Sequence, residues 1–246
     1  MPFNTADWHK RYQQQAGWSK TVRNHILLSL NLPASPSILE VGCGTGAVLA
    51  DYSKKPGFKT FGLDIQSSAL HFCQKENPGA ILTCGDALAL PYPNASFDLT
   101  FCHYLLLWLK DPLCAIKEMK RVTRPGGSVC AFAEPDYSGR IAYPPELAKV
   151  TDLQTQSLKQ QGANLGIGRQ LRHLFIEAGL SQVQAGVLAA EWHESTGSLD
   201  SEMEMMANDL ALLGKMPGSA KYVEKNQFPQ DSIYFIPTFY ACGQLD

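Results

Sequence analysis

The sequence predicts a doubly wound α/β fold around a mostly parallel sheet, and three observations carry that prediction. Short apolar runs of strand length alternate with helix-length stretches up to Pro135. Those runs are apolar at most positions, as expected of strands buried on both faces. The first is followed by "GCGTG", three glycines in five positions, where open parallel sheets bind nucleotides.

Taken in order, residues 5–30 read as helix, with Trp8, Tyr12, Val22, Ile26, Leu27 and Leu30 recurring near helical spacing. "NLPASPS" ends it with two prolines. "SILEVG" (37–42) is the first strand, followed by the glycine turn and a helix over 45–55. "FKTFGLDI" is a second strand ending in Asp64, and "QSSALHFCQKEN" a second helix of the alternating part. "GAILTCGDA" is a third strand, and "FDLTFCHYLLLWL" a fourth running into a helix start. "PLCAIKEMKRVTRPGG" is a helix stopped by Pro125-Gly126-Gly127, and "SVCAFAEPD" is the fifth strand. The rhythm then changes. "PPELAKVTDLQTQSLKQQG" and "GRQLRHLFIEAGL" read as helices, the second ended by Gly179, and "SQVQAGVLAAEWH" as a strand. Residues 195–230 read as a mostly helical insertion before the last strand, "SIYFIPTFYACGQ", which brings the sheet to seven strands.

A chain of 246 residues, 45% hydrophobic and 18% charged, buries a sizeable core and is not extensively disordered. A net charge of −2, with no Lys/Arg run longer than two, gives no field for nucleic acid or an anionic membrane. The polar N-terminus lacks a signal-peptide stretch, and no window approaches the ~20 apolar residues of a membrane span. The seven scattered cysteines contain no C-x-x-C pair, which predicts reduced, mostly buried thiols in a cytoplasmic protein and no metal site. His9, His25, His71 and His173 show no metal spacing either.

The glycine turn alone leaves its ligand open. Glu40 precedes it, and a carboxylate there repels a pyrophosphate. In the dinucleotide pattern G-x-G-x-x-G, with Gly42 and Gly44 in register, the third position is Ala47. Asp64 ends the second strand, where an acid accepts ribose hydroxyls for several cofactors. Asp86, after the third strand, can accept from an exocyclic amine such as adenine's while the next amide meets a ring nitrogen.

As a set, "LEVGCGTG", "GLDIQSSAL", "GDALALPYPNASFDLTFCHYLLLWLKDP" and "EMKRVTRPGGSV" resemble successive motifs of class I S-adenosylmethionine-dependent methyltransferases, nearest the small-molecule branch with quinone-biosynthesis-type enzymes. The resemblance is strong over about residues 35–135 and rests on element order elsewhere. It implies a Rossmann-like sheet with the last strand antiparallel, in one domain over 1–246. Residues 1–34 would be a helical cap, 35–135 the cofactor-binding core and 136–246 the substrate side. It further implies that Glu40, Gly42, Cys43, Gly44 and Gly46 shape the methionine and ribose pocket. Asp64 would hold the ribose, Ile65 pack on the adenine, and Asp86 and Ala87 read its edge. Cys102 and His103 would lie beside the sulfonium, and Tyr12 would contact the cofactor carboxylate.

Methyl transfer from a sulfonium is an in-line displacement, so alignment and exclusion of water dominate. Candidates for a base, where one is needed, are His103 and Glu134, with Asp136 and Tyr137 beside Glu134 at the end of the fifth strand. His103 has a second reading as a lining residue, Asp136 as a turn cap. His193 reads as a surface residue, Arg169 and Arg172 as a solvated helix face, and the "MEMMANDLALL" stretch as core or lid. "CHYL" stands where amino-methylating enzymes for adenine or glutamine carry an Asn/Asp-Pro-Pro-aromatic tetrapeptide. A small organic acceptor, methylated at O, N or C, is therefore the expected partner. The competing readings are a nicotinamide-dependent oxidoreductase and a non-catalytic cofactor-binding subunit.

Overall fold

In the computed structural model, the structure describes residues 4–188 and 233–246. The expected insertion at 195–230, His193 and the Met-rich stretch lie outside the described residues.

The chain opens with one long helix, α1 (Thr5–Ser29). Asn4 accepts from the Ala6 and Asp7 amides while Asp7 reaches back to the Asn4 amide, a reciprocal cap that fixes where the helix starts. Its buried side is apolar at Ala16 and, near its end, at Ile26 and Leu27, while His9, Arg11, Ser19 and Arg23 are buried with them. That polar stripe has a purpose only if the helix covers a polar site.

The strands β1 (Ser37–Val41), β2 (Lys59–Asp64), β3 (Ile81–Cys84), β4 (Phe97–Cys102), β5 (Thr123–Pro135), β7 (Ser181–Leu188) and β9 (Thr238–Gln244) form one sheet in the order β3-β2-β1-β4-β5-β9-β7. The first five are mutually parallel, and β9 runs antiparallel to both β5 and β7. Ile38, Leu39, Val41, Leu99 and Phe101 are 0% exposed, which explains their unbroken apolar runs. The helices α2 (Leu49–Ser53), α3 (Ser67–Glu76), α4 (Pro112–Val122), α5 (Pro145–Gln160) and α6 (Ile167–Glu177) complete the fold. Strand order reverses between β1 and β4, which opens a crevice at their C-terminal ends.

Four expectations are corrected. The helix over 45–55 shrinks to α2, because the glycine turn takes the first residues. α4 stops at Val122, where Thr123 turns extended (ψ 144°), so Pro125-Gly126-Gly127 belongs to β5 and not to a helix end. The last strand is two: β8 (Ile233–Phe235) leaves the main sheet to pair with β6 (Ile141–Tyr143), a strand the sequence reading lacked. Pro237 separates β8 from β9 and has no N–H for a ladder. Finally, the cysteines are not all reduced: Cys130 and Cys242 face each other across β5 and β9 and are bonded (S–S 2.15 Å).

Candidate functional site

A cavity of about 710 Å³ opens above the crevice. Its floor is the loops after β1, β2 and β3, one wall is the loop after β4, and α1 roofs it with Trp8, Tyr12 and Gln15. Of the expected site residues, Tyr12, Glu40, Gly42, Cys43, Gly44, Asp64, Ile65, Asp86, Ala87 and His103 line it.

The glycine loop is bonded within itself. Gly42 and Cys43 donate to Leu63 O (2.7 and 2.9 Å), Gly44 to Asp64 Oδ2 (2.7 Å) and Gly46 to Cys43 O (2.8 Å). These four amides are engaged, so they form no anion cradle of the kind phosphate-binding loops offer. Gly42 (φ 72°) has no room for a side chain, since a β-carbon would lie 2.7 Å from Leu105 Cδ1.

Three carboxylates face the cavity instead of amides. Glu40 is 2% exposed; it accepts from the Leu49 amide, and its Oε2 is buried without a partner. Burial, foremost, lifts its carboxyl well above the usual range, which marks a buried acid short of a cation. Asp64 accepts Gly44 N–H on Oδ2 and Gln66 N–H on Oδ1 (2.8 Å). Ile65, beside it, is 69% exposed, an apolar side chain left open at a pocket. Asp86 accepts from the Leu88 amide (2.9 Å).

Three expected residues fall outside the cavity lining. Gly46 packs on α3, where a β-carbon would meet Cys73 Sγ and Asn77 Nδ2. Cys102 is 0% exposed with Sγ 3.9 Å from Glu134 Oε1. Glu134 is also 0% exposed, its oxygens taken by the amides of Leu105 (2.9 Å), Leu106 (2.9 Å) and Leu107 (3.2 Å). It caps the short 3-10 turn Leu106–Trp108 from the neighbouring strand and is not placed to act as a base. Asp136 caps as well: it accepts from the Gly139 amide (3.0 Å) and pairs with Arg169.

With that geometry in hand, residues 39–131 match a family model described as a methyltransferase domain. The match runs from β1 into β5. Among curated proteins, an uncharacterized methyltransferase of Schizosaccharomyces pombe is 35% identical over 154 residues, covering 57% of this chain and 55% of its own. A demethylmenaquinone methyltransferase of Bacillus licheniformis is 29% identical over 207 residues, covering 76% and 84%. The chain spans about half the length of the first curated relatives it matches. Among solved structures, geranyl diphosphate C-methyltransferase from Streptomyces coelicolor, in complex with S-adenosyl-L-homocysteine, superposes with a TM-score of 0.57 at 11% identity, over 92% of this chain and 79% of that one. It shares the fold.

The matched stretch does not build the site alone. His103, at the end of β4, is tied to α1: its Nε2 lies 2.8 Å from Ser19 Oγ. Arg23, 1% exposed, donates to that same Oγ, to Ala16 O (2.6 Å) and to Asp51 Oδ2 (2.6 Å). A guanidinium only donates, so Ser19 Oγ accepts from Arg23, and its own hydrogen has two acceptors in reach, Ala16 O (3.3 Å) and His103 Nε2. Burial, then the Arg23 charge, pushes His103 down to about 3. The side chain expected as a base is thus a neutral imidazole of low basicity at pH 7. Nitrogen NMR should show His103 neutral and without a titration between about pH 5 and 8; a midpoint near 6.5 would mean that burial and the Arg23 charge do not act on it. Arg23→Gln, which removes the charge, should raise the midpoint, while Ser19→Ala should leave it low because burial and the charge remain.

His9 makes a second tie, its Nδ1 2.8 Å from Thr45 Oγ1 in the glycine loop. The lining also includes Trp8, Gln15, Gln66, Trp108, Tyr137, Leu158 and Gln161. Of these, only Tyr137 was among the residues expected at the site. Trp8 was within reach, since it precedes Tyr12 by four residues and stacks on it (5.8 Å). Leu158 and Gln161, at the end of α5, gave no signal.

Among the described residues, no three His, Cys, Asp or Glu side chains are placed to hold a metal, and no helix is long and apolar enough to cross a membrane.

Proposed function

We propose that this chain is an S-adenosylmethionine-dependent methyltransferase acting on a small organic acceptor. The observation that carries the reading is the buried, unpartnered Oε2 of Glu40 at a cavity whose glycine-loop amides are already bonded. That combination suits a nucleoside with a cationic tail and opposes a pyrophosphate, which disfavours a nicotinamide dinucleotide. The family match and the methyltransferase relatives support the same activity.

When bound, S-adenosylmethionine supplies an electrophilic methyl group: an acceptor lone pair forms the new bond as carbon–sulfur breaks, the electron pair returns to sulfur, and an acceptor proton leaves to water. The chain's residues bind and align. Glu40 faces the amino group or sulfonium; Asp64 has a second lone pair on each oxygen for the ribose hydroxyls. Ile65 packs on the adenine, Asp86 and Ala87 meet its edge, and Tyr12 donates to the carboxylate. His103 offers a neutral imidazole, held by Ser19, near the transferring group. Trp8 and Tyr12 exclude water from above, which strengthens each of these interactions. With no base required of His103 or Glu134, catalysis rests on placing the acceptor in line.

Calorimetric titration with S-adenosylhomocysteine, with NADH in parallel, tests the reading. Micromolar binding of the first and none of the second is expected. Binding of NADH alone, or of neither, would sink it.

A further inference from the structure

A second polar centre lies behind Tyr137, and what it holds is argued on the footing of the methyltransferase reading above. The two-stranded ribbon of β6 and β8 is tied to α5 by the hydrogen bond from Tyr234 Oη to Gln154 Oε1 (3.3 Å). α5 turns Thr151, Gln154 and Ser157 into the interior, polar residues on a face where packing alone would select apolar ones. Arg140, just before β6, extends into this space. Its guanidinium lies 5.2 Å from the Tyr137 ring centroid and 5.8 Å from that of Tyr234, and Nη1 donates to Thr151 O (2.5 Å). Its Nε and Nη2 are buried and have no hydrogen-bond partner. Tyr137 lines the cavity, so the charge sits one aromatic ring away from it.

Those two nitrogens form one face of the guanidinium. Nε–H and the adjacent Nη2–H point the same way and match the two oxygens of a carboxylate. Two other arginines of this chain use the same pair in that manner. Arg121 grips both oxygens of Glu118 (2.7 Å each), and Arg169 both oxygens of Asp136. On Arg140 the pair meets no acceptor among the described residues: Asp136 is taken by Arg169, and Asp152, beside Thr151, is exposed. A guanidinium stays charged at any working pH. One backbone carbonyl and two ring faces offset part of its lost hydration, and an anion on the remaining face would supply the rest. Tyr137 follows β5, two strands from β1 in the sheet, whereas Glu40, Asp64 and Asp86 belong to β1, β2 and the loop after β3. An acid held by Arg140 is thus kept at the end of the cavity away from those three carboxylates.

We propose that the Nε–H and Nη2–H of Arg140 are a carboxylate-binding fork, and that the methyl acceptor is a small organic acid whose carboxylate is the handle and not the methylated group. Held by both oxygens beside Tyr137, the acid leaves the rest of the molecule to extend into the cavity toward the transferring group. Arg140 is then the residue that selects an acid over its neutral amide.

Protein saturated with S-adenosylhomocysteine, with saturation verified by calorimetry beforehand, is titrated with benzoate and with benzamide. Binding is followed by calorimetry and by the Arg140 Nε–H resonance, assigned through its loss in Arg140→Lys. Benzoate should bind about tenfold or more tighter than benzamide and shift that resonance. Overhauser contacts from the bound ring to Tyr137 should place it on the acceptor side. Arg140→Lys keeps the charge and a donor for Thr151 O but lacks the fork. It should stay folded by thermal melt, weaken benzoate about tenfold and leave S-adenosylhomocysteine within about twofold. Benzamide binding as tightly as benzoate overturns the proposal, as does a preference for benzoate that survives Arg140→Lys. So does benzoate bound without contact to Tyr137, or no binding of either probe. In each of these cases the cofactor titration still stands and the methyltransferase reading survives. Failure of S-adenosylhomocysteine to bind removes that reading, and with it the assignment of the acid to a methyl acceptor.

Discussion

Asp64→Ala should lower the affinity for S-adenosylhomocysteine roughly a hundredfold while the protein stays folded. The carboxylate sits where β2 ends and does two things at once. It takes the Gly44 amide (2.7 Å) and the Gln66 amide (2.8 Å), fixing the glycine loop against the start of α3. In our reading its remaining lone pairs accept the two ribose hydroxyls. Hydrogen bonds to a charged group contribute about 1.5–3 kcal/mol each, so losing the pair costs about 3 kcal/mol, or two decades in Kd. The stability cost is smaller, because both orphaned amides lie at the open cavity where water can replace the acceptor. Asp64→Asn keeps one acceptor oxygen and should fall between the two. Calorimetry gives the affinity and a thermal melt the stability. An alanine variant binding within about threefold of wild type would remove Asp64 from the cofactor site, whatever the melt shows.

The part of this architecture that was readable in the sequence is the part held by local rules. β1, β2 and β4 are short and largely buried, and β3, the edge strand with Ile81 55% exposed, is short and flanked like them by turn residues, so hydrophobicity and punctuation suffice to place them. Asp64 and Asp86 were legible because a strand end fixes where a side chain emerges. What escaped depends on partners distant in sequence. Ser19 meets His103 across 84 positions, and no periodicity along α1 says that its polar stripe will close on that histidine. Glu134 precedes a proline at the end of a strand, which is as compatible with a base in a pocket as with a buried cap. Only the position of Leu105–107, 27 to 29 residues earlier, decides between them. Cys130 and Cys242 are 112 residues apart and become neighbours because β9 inserts between β5 and β7. Pro125-Gly126-Gly127 misled for the opposite reason: a strong local stop signal sits inside a strand that the sheet holds extended.

Glu134 carries the second large effect, on stability and its pH dependence. Burial outweighs the three amides it accepts and pushes its carboxyl up to about 7, from 4.5. The folded protein therefore holds a proton that the unfolded chain releases between those values. Stability linked to a raised group is fully present below the unfolded value and is lost as pH rises through the folded one. The unfolding free energy of wild type minus that of Glu134→Gln, whose side chain does not titrate, should thus fall as pH goes from about 4.5 to about 7. A shift of this size corresponds to about 3 kcal/mol in total. Denaturant unfolding of both proteins across that range measures it; a flat or rising difference would mean that the amides of Leu105, Leu106 and Leu107 win over burial. Glu134→Ala makes the separate structural point. It strands those amides, at about 1–3 kcal/mol for each one left without water, and should loosen the loop bearing Leu105, Leu107 and Trp108. Glu134 then supports the site from behind, by holding the wall against which the acceptor packs. Its loss should appear first as a lower melting temperature and weaker acceptor binding, with S-adenosylhomocysteine affinity changing less. A variant of normal stability that bound its acceptor normally but lost turnover would instead restore Glu134 to the chemistry.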